Sequence, residues 1–344
     1  MVNGDRRRPL ILPSSQPWSE ECAPRTDFAV LASVLEDAPI RTPPLKPVAG
    51  GLRQAIAALR HRRGVSVYVS LSEKIGAPLA LLLAARRDQA PHVLVAHHLT
   101  SAKKRSLHQR TGWLHRFARI VVLSEPQAAY LREVGYPPEK AVLLPDSVDT
   151  RFWHSLSDRS ETVAGEPSFV LSVGQERRDY ATLLEAARDL APLPFVIVSG
   201  SLWGAATVAP EHLPENVSVR RGLRFAELRG LYTRASVVVV PLEADTRYAA
   251  GANGLLEGMA MGKAVVLTQT PGLEGYARDN ETVRIVPPSD PSALASAIRR
   301  LRKAPEETAR LGAAARAAAS ARHSLDAYTT VLAKVVREAE SETR

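Results

Sequence analysis

The stretch that decides the fold is residues 247–266, which read RYAAGANGLLEGMAMGKAVV. A turn of residues with little side-chain bulk comes first, then an apolar segment that predicts a helix, then the β-type run AVV. A helix that leads straight into an apolar strand is a typical unit of parallel α/β sheets. The stretch therefore predicts an α/β fold.

The turn at the head of this predicted helix is suited to binding an anion. Gly251, Ala252, Asn253 and Gly254 leave the backbone open, so a ligand can approach the N–H groups at the helix N-terminus, where negative charge is stabilised. Glu257 follows about one helical turn later and can accept hydrogen bonds from ribose hydroxyls. Phosphate and ribose together predict a nucleotide site. The alternative for Glu257 is a structural acid that complements the helix dipole.

Outward from this stretch, short apolar runs alternate with amphipathic segments along the whole chain. This alternation predicts parallel sheets covered by helices on both faces. The predicted strands are 10–12, 65–70, 92–96, 120–123, 141–144, 169–173, 195–199, 217–220, 236–241, 264–268 and 282–286. The predicted helices are 28–35, 52–60, 75–85, 104–114, 126–134, 181–190, 226–232, 291–301 and an entirely helical tail, 306–340.

The length of 344 residues favours two domains. The polar segment 155–167 has no apolar periodicity and is the predicted linker. We therefore expect two facing Rossmann-like domains, 1–160 and 161–325, with a cleft between them, and a C-terminal helix, 325–344, that packs back on the first. Ligands of such sheets bind at the carboxyl ends of the strands.

Composition and charge narrow the class of protein. Hydrophobic residues make up 45% and charged residues 24%, as in folded globular proteins. The net charge of +9 suits phosphorylated substrates, an anionic membrane or nucleic acid. Nucleic acid is disfavoured because aromatic residues are only 5% and no binding module is recognisable. The single cysteine, Cys22, and the lack of an apolar run of membrane-spanning length predict a cytoplasmic protein.

A basic segment, 103–117, leaves two interpretations open. Its lysines and arginines alternate with Trp113, Leu114 and Phe117, which is typical of a helix lying on anionic lipid. The same pattern fits a helix with an apolar face in the core and a charged outer side, and this second interpretation is favoured. A peripheral contact with the inner membrane face thus stays an alternative.

Four segments carry a resemblance to a known family: VAHHLTSAKK (95–104), LLPDSVDTRFW (143–153), LSVGQERRDYATLLEAARDL (171–190) and the run ending at 266. Together the chain resembles the family 4 retaining glycosyltransferases, which have the GT-B fold, over about residues 90–335. The resemblance implies a hexosyltransferase-type enzyme. Its C-terminal domain would bind a nucleotide-sugar donor, its N-terminal domain a hydroxyl acceptor, and it would need neither a divalent metal nor a cofactor.

The resemblance also assigns residues around the donor. The family has two glutamates separated by seven residues. The second falls on Glu257, at the ribose, but the first falls on Ala249, so either the sugar is recognised otherwise or catalysis is altered. Glu243 and Asp245, on the same loop, are candidates to supply the missing carboxylate.

The family further places a glycine and two cations after the first strand of the C-terminal domain, with the cations on the diphosphate. Here Gly174 is followed by the neutral Gln175 and then by Arg177 and Arg178. Arg178 best fits the position of the second cation, and a solvated charge pair is the alternative for both arginines. Fixed cations at a departing diphosphate lower the barrier to its departure, which makes Arg178 a candidate catalytic residue.

In the N-terminal half the family has a histidine just after a strand, lining the cleft near the donor sugar. This position falls on His97, the second candidate catalytic residue, while His98 points to the other side of the chain. The family's Gly-rich loop after the first strand is replaced by PSSQPW, residues 13–18.

Alternative functions remain open at this point. Ala249 and Gln175 motivate a non-catalytic sugar-nucleotide-binding partner or regulatory subunit on the same fold. A pseudo-glycosidic coupling enzyme or a phosphorylase-like enzyme is a further alternative. The sequence contains no metal-ligand spacing, nucleophile elbow or P-loop.

Overall fold

The computed structural model describes residues 7–36, 38–41, 50–154, 168–199 and 213–342. The predicted linker, 155–167, lies outside these residues. The described chain divides into two compact units. The first contains the residues up to Ser19, Arg25–Pro145 and the residues from Leu325 on, so the helix predicted to pack back on the N-terminal domain belongs to it. The second contains Glu20–Pro24 and Asp146–Ser324.

A five-stranded parallel sheet forms the centre of the first unit. Its strands lie in the chain order β1-β2-β3-β4-β5, with bounds β1 Arg8–Leu12, β2 Val65–Ser70, β3 His92–Ala96, β4 Arg119–Val122 and β5 Ala141–Leu143. The helices are α1 Asp27–Val34, α2 Gly50–Leu59, α3 Glu73–Ala85, α4 Ala102–Thr111, α5 Glu125–Glu133 and, from the end of the chain, α11 Leu325–Ser341. Every residue of β3 and β4 is buried because helices cover both faces of a parallel sheet.

A six-stranded parallel sheet forms the centre of the second unit. The bounds are β6 Phe169–Val173, β7 Phe195–Val198, β8 Val217–Arg220, β9 Ala235–Val240, β10 Val265–Thr268 and β11 Arg284–Val286, in the order β11-β10-β9-β6-β7-β8. The helices are α6 Tyr180–Asp189, α7 Phe225–Arg234, α8 Ala252–Ala260, α9 Pro291–Lys303 and α10 Pro305–Arg322. The predicted α/β fold with two parallel sheets is therefore confirmed.

The prediction that the tail, 306–340, is entirely helical is wrong in one respect, because the structure has two helices there with a break between them. α10 ends at Arg322 and α11 begins at Leu325. Between the two helices, the backbone carbonyl of His323 accepts a hydrogen bond from Val148 N. The imidazole of His323 also makes two contacts, with Nδ1 3.2 Å from Asp146 O and Nε2 3.1 Å from Tyr276 O. These tertiary contacts take His323 out of the helical conformation, with φ of −126°.

The basic segment also differs from its prediction at its C-terminal end. α4 ends at Thr111 because Gly112 adopts a left-handed conformation (φ 59°), and a 3₁₀ turn, Trp113–Arg116, follows. Trp113 and Leu114 are fully buried and Phe117 is 3% exposed, which confirms the favoured interpretation that this apolar face lies in the core. None of the helices in the described ranges is long and apolar enough to cross a bilayer.

Candidate functional site

The predicted nucleotide residues lie where the strand order of the second sheet reverses. β6 and β9 are neighbours in the sheet. β7 and β8 follow on the side of β6, whereas β10 and β11 follow on the side of β9. A crevice forms at such a switch point, at the carboxyl ends of the strands. The loops that leave β6 and β9 are joined there, because Asp179 N donates to Pro241 O (3.2 Å) and Glu243 N donates to Arg177 O (3.1 Å).

Helix α8 presents two unpaired backbone donors to this crevice. Its N-cap is Gly251, with φ of 96°, and no side chain caps the helix. Ala252 N donates to Ala249 O and Leu255 N donates to Gly251 O. The amides of Asn253 and Gly254, between them, have no hydrogen-bond partner within the described residues. Two open amides at a helix N-terminus are the arrangement that binds phosphate.

The guanidinium of Arg178 lies against this helix terminus. Its Nε and Nη2 donate to Val173 O, at 3.2 and 3.0 Å, and Nη1 donates to Glu176 O at 2.9 Å. A Cβ on Gly254 would lie 3.6 Å from Nη2, so the cation and the free amide of Gly254 are neighbours. Burial lowers the pKa of Arg178, and the nearby Tyr180, Tyr232 and acidic groups act in the opposite direction.

Glu257 lies one turn into α8 with one of its two carboxylate oxygens in use. Tyr232 donates its hydroxyl hydrogen to Oε2 (2.8 Å), and Oε1 has no partner in the described part of the chain. Burial raises the pKa of Glu257 to about 7, although the Tyr232 hydrogen bond and the charge of Arg178 both act to lower it. Tyr232 is itself fully buried and packs edge-on against Trp153, with ring centroids 5.5 Å apart. The carboxylate is thus held rigidly with one oxygen available.

Arg177 points toward acidic residues in the described structure. It has a left-handed backbone (φ 56°), and its Nη1 lies 2.5 Å from Glu243 Oε2 while Nη2 contacts Asp245. The two acids considered as substitutes for the family's first glutamate therefore neutralise Arg177 instead of standing free. The assignments of Arg177 to phosphate and of these acids to the sugar remain predictions.

His97, the other candidate catalytic residue, belongs to the first unit and is exposed just after β3. Its ring Nε2 lies 3.1 Å from Leu71 O, and because a carbonyl can only accept, Nε2 carries a proton. Its backbone N donates to Glu73 Oε2 at 3.1 Å, and the other oxygen of Glu73 lies 2.5 Å from Lys104 Nζ. Burial raises the pKa of Glu73, but the positive groups His97 and Lys104 outweigh burial and lower it.

Sequence reasoning missed two of these side chains, Tyr232 and Glu73. Glu73 follows the strand β2 directly after Ser72, the N-cap of α3, so its position at the carboxyl edge of the first sheet was the available signal. Tyr232 carried no such signal, because it lies on a different helix, 25 residues before the glutamate it contacts. Among the described residues, no three His, Cys, Asp or Glu side chains come together in a way that could hold a metal ion.

Replacing Gly174 with alanine should disrupt this site. Its φ is 122°, and a Cβ there would lie 2.1 Å from Arg178 Nη2, so the guanidinium must leave its position beside α8. We expect nucleotide affinity, measured by isothermal titration, to fall at least about tenfold, the loss of one charge-assisted hydrogen bond. Gly222→Ala is the matched control, because Gly222 also has positive φ (64°) but open space around it. Equal losses in both variants would mean that backbone strain alone, and not displacement of Arg178, causes the effect.

Two family models match the chain. The model described as "Glycosyltransferase Family 4" matches residues 20–152, and the one described as "Glycosyl transferases group 1" matches residues 168–304. The second match contains all of Gly174, Arg178 and Glu257. No curated protein sequence matches the chain.

Solved structures with the same fold cover nearly the whole chain. Sucrose-phosphate synthase from Thermosynechococcus elongatus has a TM-score of 0.75 at 17% identity, covering 98% of this chain and 100% of its own. HepE from Anabaena in complex with UDP-glucose has a TM-score of 0.74 at 14% identity, with coverage of 96% and 100%. A glycosyltransferase from Rickettsia africae has a TM-score of 0.72 at 13% identity, with coverage of 97% and 98%. At these identities the likeness concerns the fold, which is GT-B.

Proposed function

Because this chain belongs to the family 4 glycosyltransferases of group 1, we propose that it transfers a sugar from a nucleoside diphosphate donor to a hydroxyl acceptor, with retention at the anomeric carbon and without a metal or other cofactor. The observation that carries this proposal is the pair of free amides of Asn253 and Gly254 beside the Arg178 guanidinium. Glu257 adds a free carboxylate oxygen one turn away.

The donor binds with its diphosphate on α8 and its ribose on Glu257. The open amides and Arg178 supply hydrogen bonds and positive charge to the phosphate oxygens, while Oε1 of Glu257 accepts from a ribose hydroxyl. Tyr232 keeps Oε2 occupied, so the carboxylate orientation is fixed before the nucleotide arrives. A preorganised site of this kind spends little of its binding energy on ordering.

In the transfer step the bond between the anomeric carbon and the β-phosphate oxygen breaks, and the acceptor oxygen bonds to that carbon on the same face. The departing diphosphate gains negative charge, which the amides and Arg178 stabilise because they are fixed where that charge develops. The acceptor hydroxyl proton passes to the departing phosphate oxygen. No nucleophile from the protein takes part. His97 keeps the catalytic role that the family pattern implies for it.

UDP is the first nucleotide to test, because the Anabaena protein HepE is described in complexes with UDP and with UDP-glucose. The experiment is isothermal titration with UDP, GDP and ADP, followed by release of the nucleoside diphosphate from the matching sugar nucleotide with a panel of hydroxyl acceptors. Binding of one nucleotide together with transfer supports the proposal. If none of the three nucleotides binds, the donor site is elsewhere and the proposal is wrong.

A non-catalytic sugar-nucleotide binder is the second candidate, and the specific observation for it is Ala249. The family's first glutamate is missing there, and its nearest replacements, Glu243 and Asp245, are paired with Arg177. For this candidate the same titration gives tight binding, whereas neither transfer nor hydrolysis of the sugar nucleotide occurs. A pseudo-glycosidic coupling enzyme would instead reveal itself in the linkage of the product.

Nucleotide binding should depend on pH through Glu257. Its pKa is raised to about 7, so the carboxyl is largely neutral at pH 6 and largely ionised at pH 8. Because ribose hydroxyls donate to the ionised form, affinity should rise with pH, by about tenfold between these values if only the carboxylate binds. Isothermal titration of UDP at several pH values measures this. Protonation of the UDP phosphate also makes the affinity depend on pH, so Glu257→Gln is the control. If affinity depends on pH in the same way in that variant, the assignment of Glu257 to the ribose is contradicted.

We also propose a cytoplasmic location, which the single free cysteine, Cys22, supports. A contact with the inner membrane face was an alternative based on the segment 103–117. Its aromatic residues are buried and Leu107 packs partly buried against the same core, so the side chains that this segment exposes are mainly charged and polar.

A further inference from the structure

Glu73 is a buried acid whose two carboxylate oxygens both bind groups at or near the loop after β3. It is the first residue of α3 and is only 5% exposed. Its Oε2 accepts from His97 N (3.1 Å), and its Oε1 accepts from Lys104 Nζ (2.5 Å). Burying a carboxylate is costly unless it is paired and hydrogen-bonded. An acid that only complements the dipole of α3 needs no burial, so these contacts indicate a further role for Glu73.

Lys104 lies at a position that its own helix does not favour. It is in the first turn of α4, at the end of a helix where a positive charge is unfavourable. Its Nζ donates to Glu73 Oε1 and to the carbonyl of His98, both at 2.5 Å. The position of this cation is therefore explained by its contacts with Glu73 and the loop, and not by α4.

The loop between β3 and α4 is held at three consecutive residues of its backbone. Each backbone group is bound by a side chain of a different helix, namely Glu73 with His97 N, Lys104 with His98 O and Gln127 with Leu99 N. The polar backbone groups of a connecting loop usually face solvent. Here they are bound by the protein, and among residues 97–101 only the side chain of His97 is exposed. The loop therefore presents His97 from a fixed backbone.

The turn that carries Glu73 also binds the ring of His97. Nε2 of His97 lies 3.1 Å from the carbonyl of Leu71, two residues before Glu73, so one turn holds both the backbone and the imidazole. This turn is itself anchored, because Leu71 N donates to Leu12 O of β1 (3.0 Å). Nδ1 of His97 has no partner within the described ranges and is the ring nitrogen open to a substrate.

We propose that Glu73 is a positioning residue for His97, which fixes the direction of the imidazole through the loop after β3 and does not itself contact the substrate. The inference rests on the function proposed above, in which His97 has a catalytic role. A displacement of about 1 Å at a reacting group can lower a rate by about 10²-fold. Loss of the Glu73 contact should therefore lower kcat, while binding of the sugar nucleotide, which uses Arg178 and Glu257, changes little.

Two double variants isolate the hydrogen bond to His97 N. Glu73→Gln with Lys104→Met and Glu73→Ala with Lys104→Met both remove the ion pair, but only the first keeps an oxygen that accepts from His97 N. We expect kcat for transfer to fall by less than about tenfold in the first and by about 10²-fold in the second. KM for the sugar nucleotide should change by less than about threefold in both. The matched control is Arg105→Met with Glu133→Gln, which removes the exposed ion pair of α4 and should leave kcat and KM unchanged.

The same comparison without the imidazole separates positioning from a merely structural role. In a His97→Ala background the two double variants should differ in kcat by less than about threefold, because the group through which Glu73 acts is already missing. A structural Glu73 would instead lower kcat by the same factor in both backgrounds. Equal kcat values for the two double variants when His97 is present, or equal losses in both backgrounds, overturn the inference.

An NMR measurement tests the positioning without relying on activity. In histidine-labelled protein, the Nε2–H signal of His97 is identified by its absence from His97→Ala. Because this proton is bound to Leu71 O, it should be protected from solvent exchange in the unmodified chain and in the Gln double variant, and should lose that protection in the Ala double variant. Unchanged protection in the Ala double variant overturns the inference. If the unmodified chain transfers no sugar, the proposed function is wrong, while this signal still decides whether Glu73 holds His97.

Discussion

Replacing Glu257 with alanine should weaken the binding of a nucleoside diphosphate by about 1.5–3 kcal/mol, or about 10- to 150-fold in Kd. The variant loses the only acid of α8, whose free Oε1 is available to a ribose hydroxyl. It also leaves the buried hydroxyl of Tyr232 without an acceptor, so thermal stability falls too. Isothermal titration with UDP measures the first effect, and a melting curve measures the second.

A second variant separates binding from stability. Glu257→Gln keeps an oxygen for Tyr232 and nearly the same shape, so the fold is preserved while the charge is lost. We expect it to bind UDP more weakly than the unmodified chain but to melt close to it. Glu274→Ala, at an exposed acid of the same unit, is the control and should leave both properties unchanged. An unchanged Kd in a folded Glu257→Ala variant would remove the ribose role.

The parallel sheets could be predicted from the sequence because their strands carry continuous apolar runs. β2, β3, β6 and β8 have the predicted bounds, and the other strands differ by one or two residues at their ends. Buried parallel strands are apolar at most positions, so runs such as FVLSV at 169–173 stand out against amphipathic helices. Local sequence sufficed for the central strands because burial on both faces leaves the same apolar signal in each of them.

The break between α10 and α11 in the C-terminal tail could not be predicted from local sequence. HSL at 323–325 contains neither proline nor glycine, and its local propensity is compatible with a continuous helix. The helix ends there because His323 meets Asp146, Val148 and Tyr276, residues that are remote in sequence. A boundary set by tertiary hydrogen bonds leaves no local signature.

In the candidate site, too, the features set by local sequence could be predicted and those set by tertiary contacts could not. Gly251, Asn253 and Glu257 lie within seven residues of one another, so their roles follow from the geometry of a single helix terminus. The partners that define the state of each group come from elsewhere, as Tyr232 does for Glu257 and Glu73 for His97. The raised pKa of Glu257 has this origin, because burial by surrounding elements and not the spacing within α8 sets it.

Arg178 and Arg177 show why adjacent residues of one type can have different environments. Two backbone hydrogen bonds on either side of Arg178 join the loop after β6 to the loop after β9. Arg177 O accepts from Glu243 N, and Asp179 N donates to Pro241 O. This backbone path turns the Arg178 side chain toward Val173 O and α8, whereas Arg177, in a left-handed conformation, meets Glu243 and Asp245. Sequence could place two cations in the loop but could not assign their directions.

Arg178→Gln should therefore lower kcat for transfer by about 10²- to 10³-fold, the loss typical of removing one fixed donor from a developing negative charge. The diphosphate carries more charge as it departs than in the bound donor, so the effect on kcat should exceed the effect on the affinity for UDP. Release of UDP from the sugar nucleotide measures the rate, and isothermal titration measures the affinity. Arg178→Lys keeps the charge but gives up the planar set of bonds to Val173 O and Glu176 O, so an intermediate rate is expected.

The matched control is Arg177→Gln, the same change one residue earlier. Its guanidinium is neutralised by Glu243 and Asp245, so its removal should lower kcat by less than about tenfold. A large loss in Arg177→Gln with little change in Arg178→Gln would exchange the two assignments. It would also mean that the Glu243 and Asp245 pairs open when the donor binds, releasing two carboxylates next to Ala249, where the family's first glutamate is absent. The two variants differ only in which cation is lost. Comparing them therefore decides between a phosphate site that Arg178 forms before the donor binds and one that forms only when the donor releases Arg177 from Glu243 and Asp245.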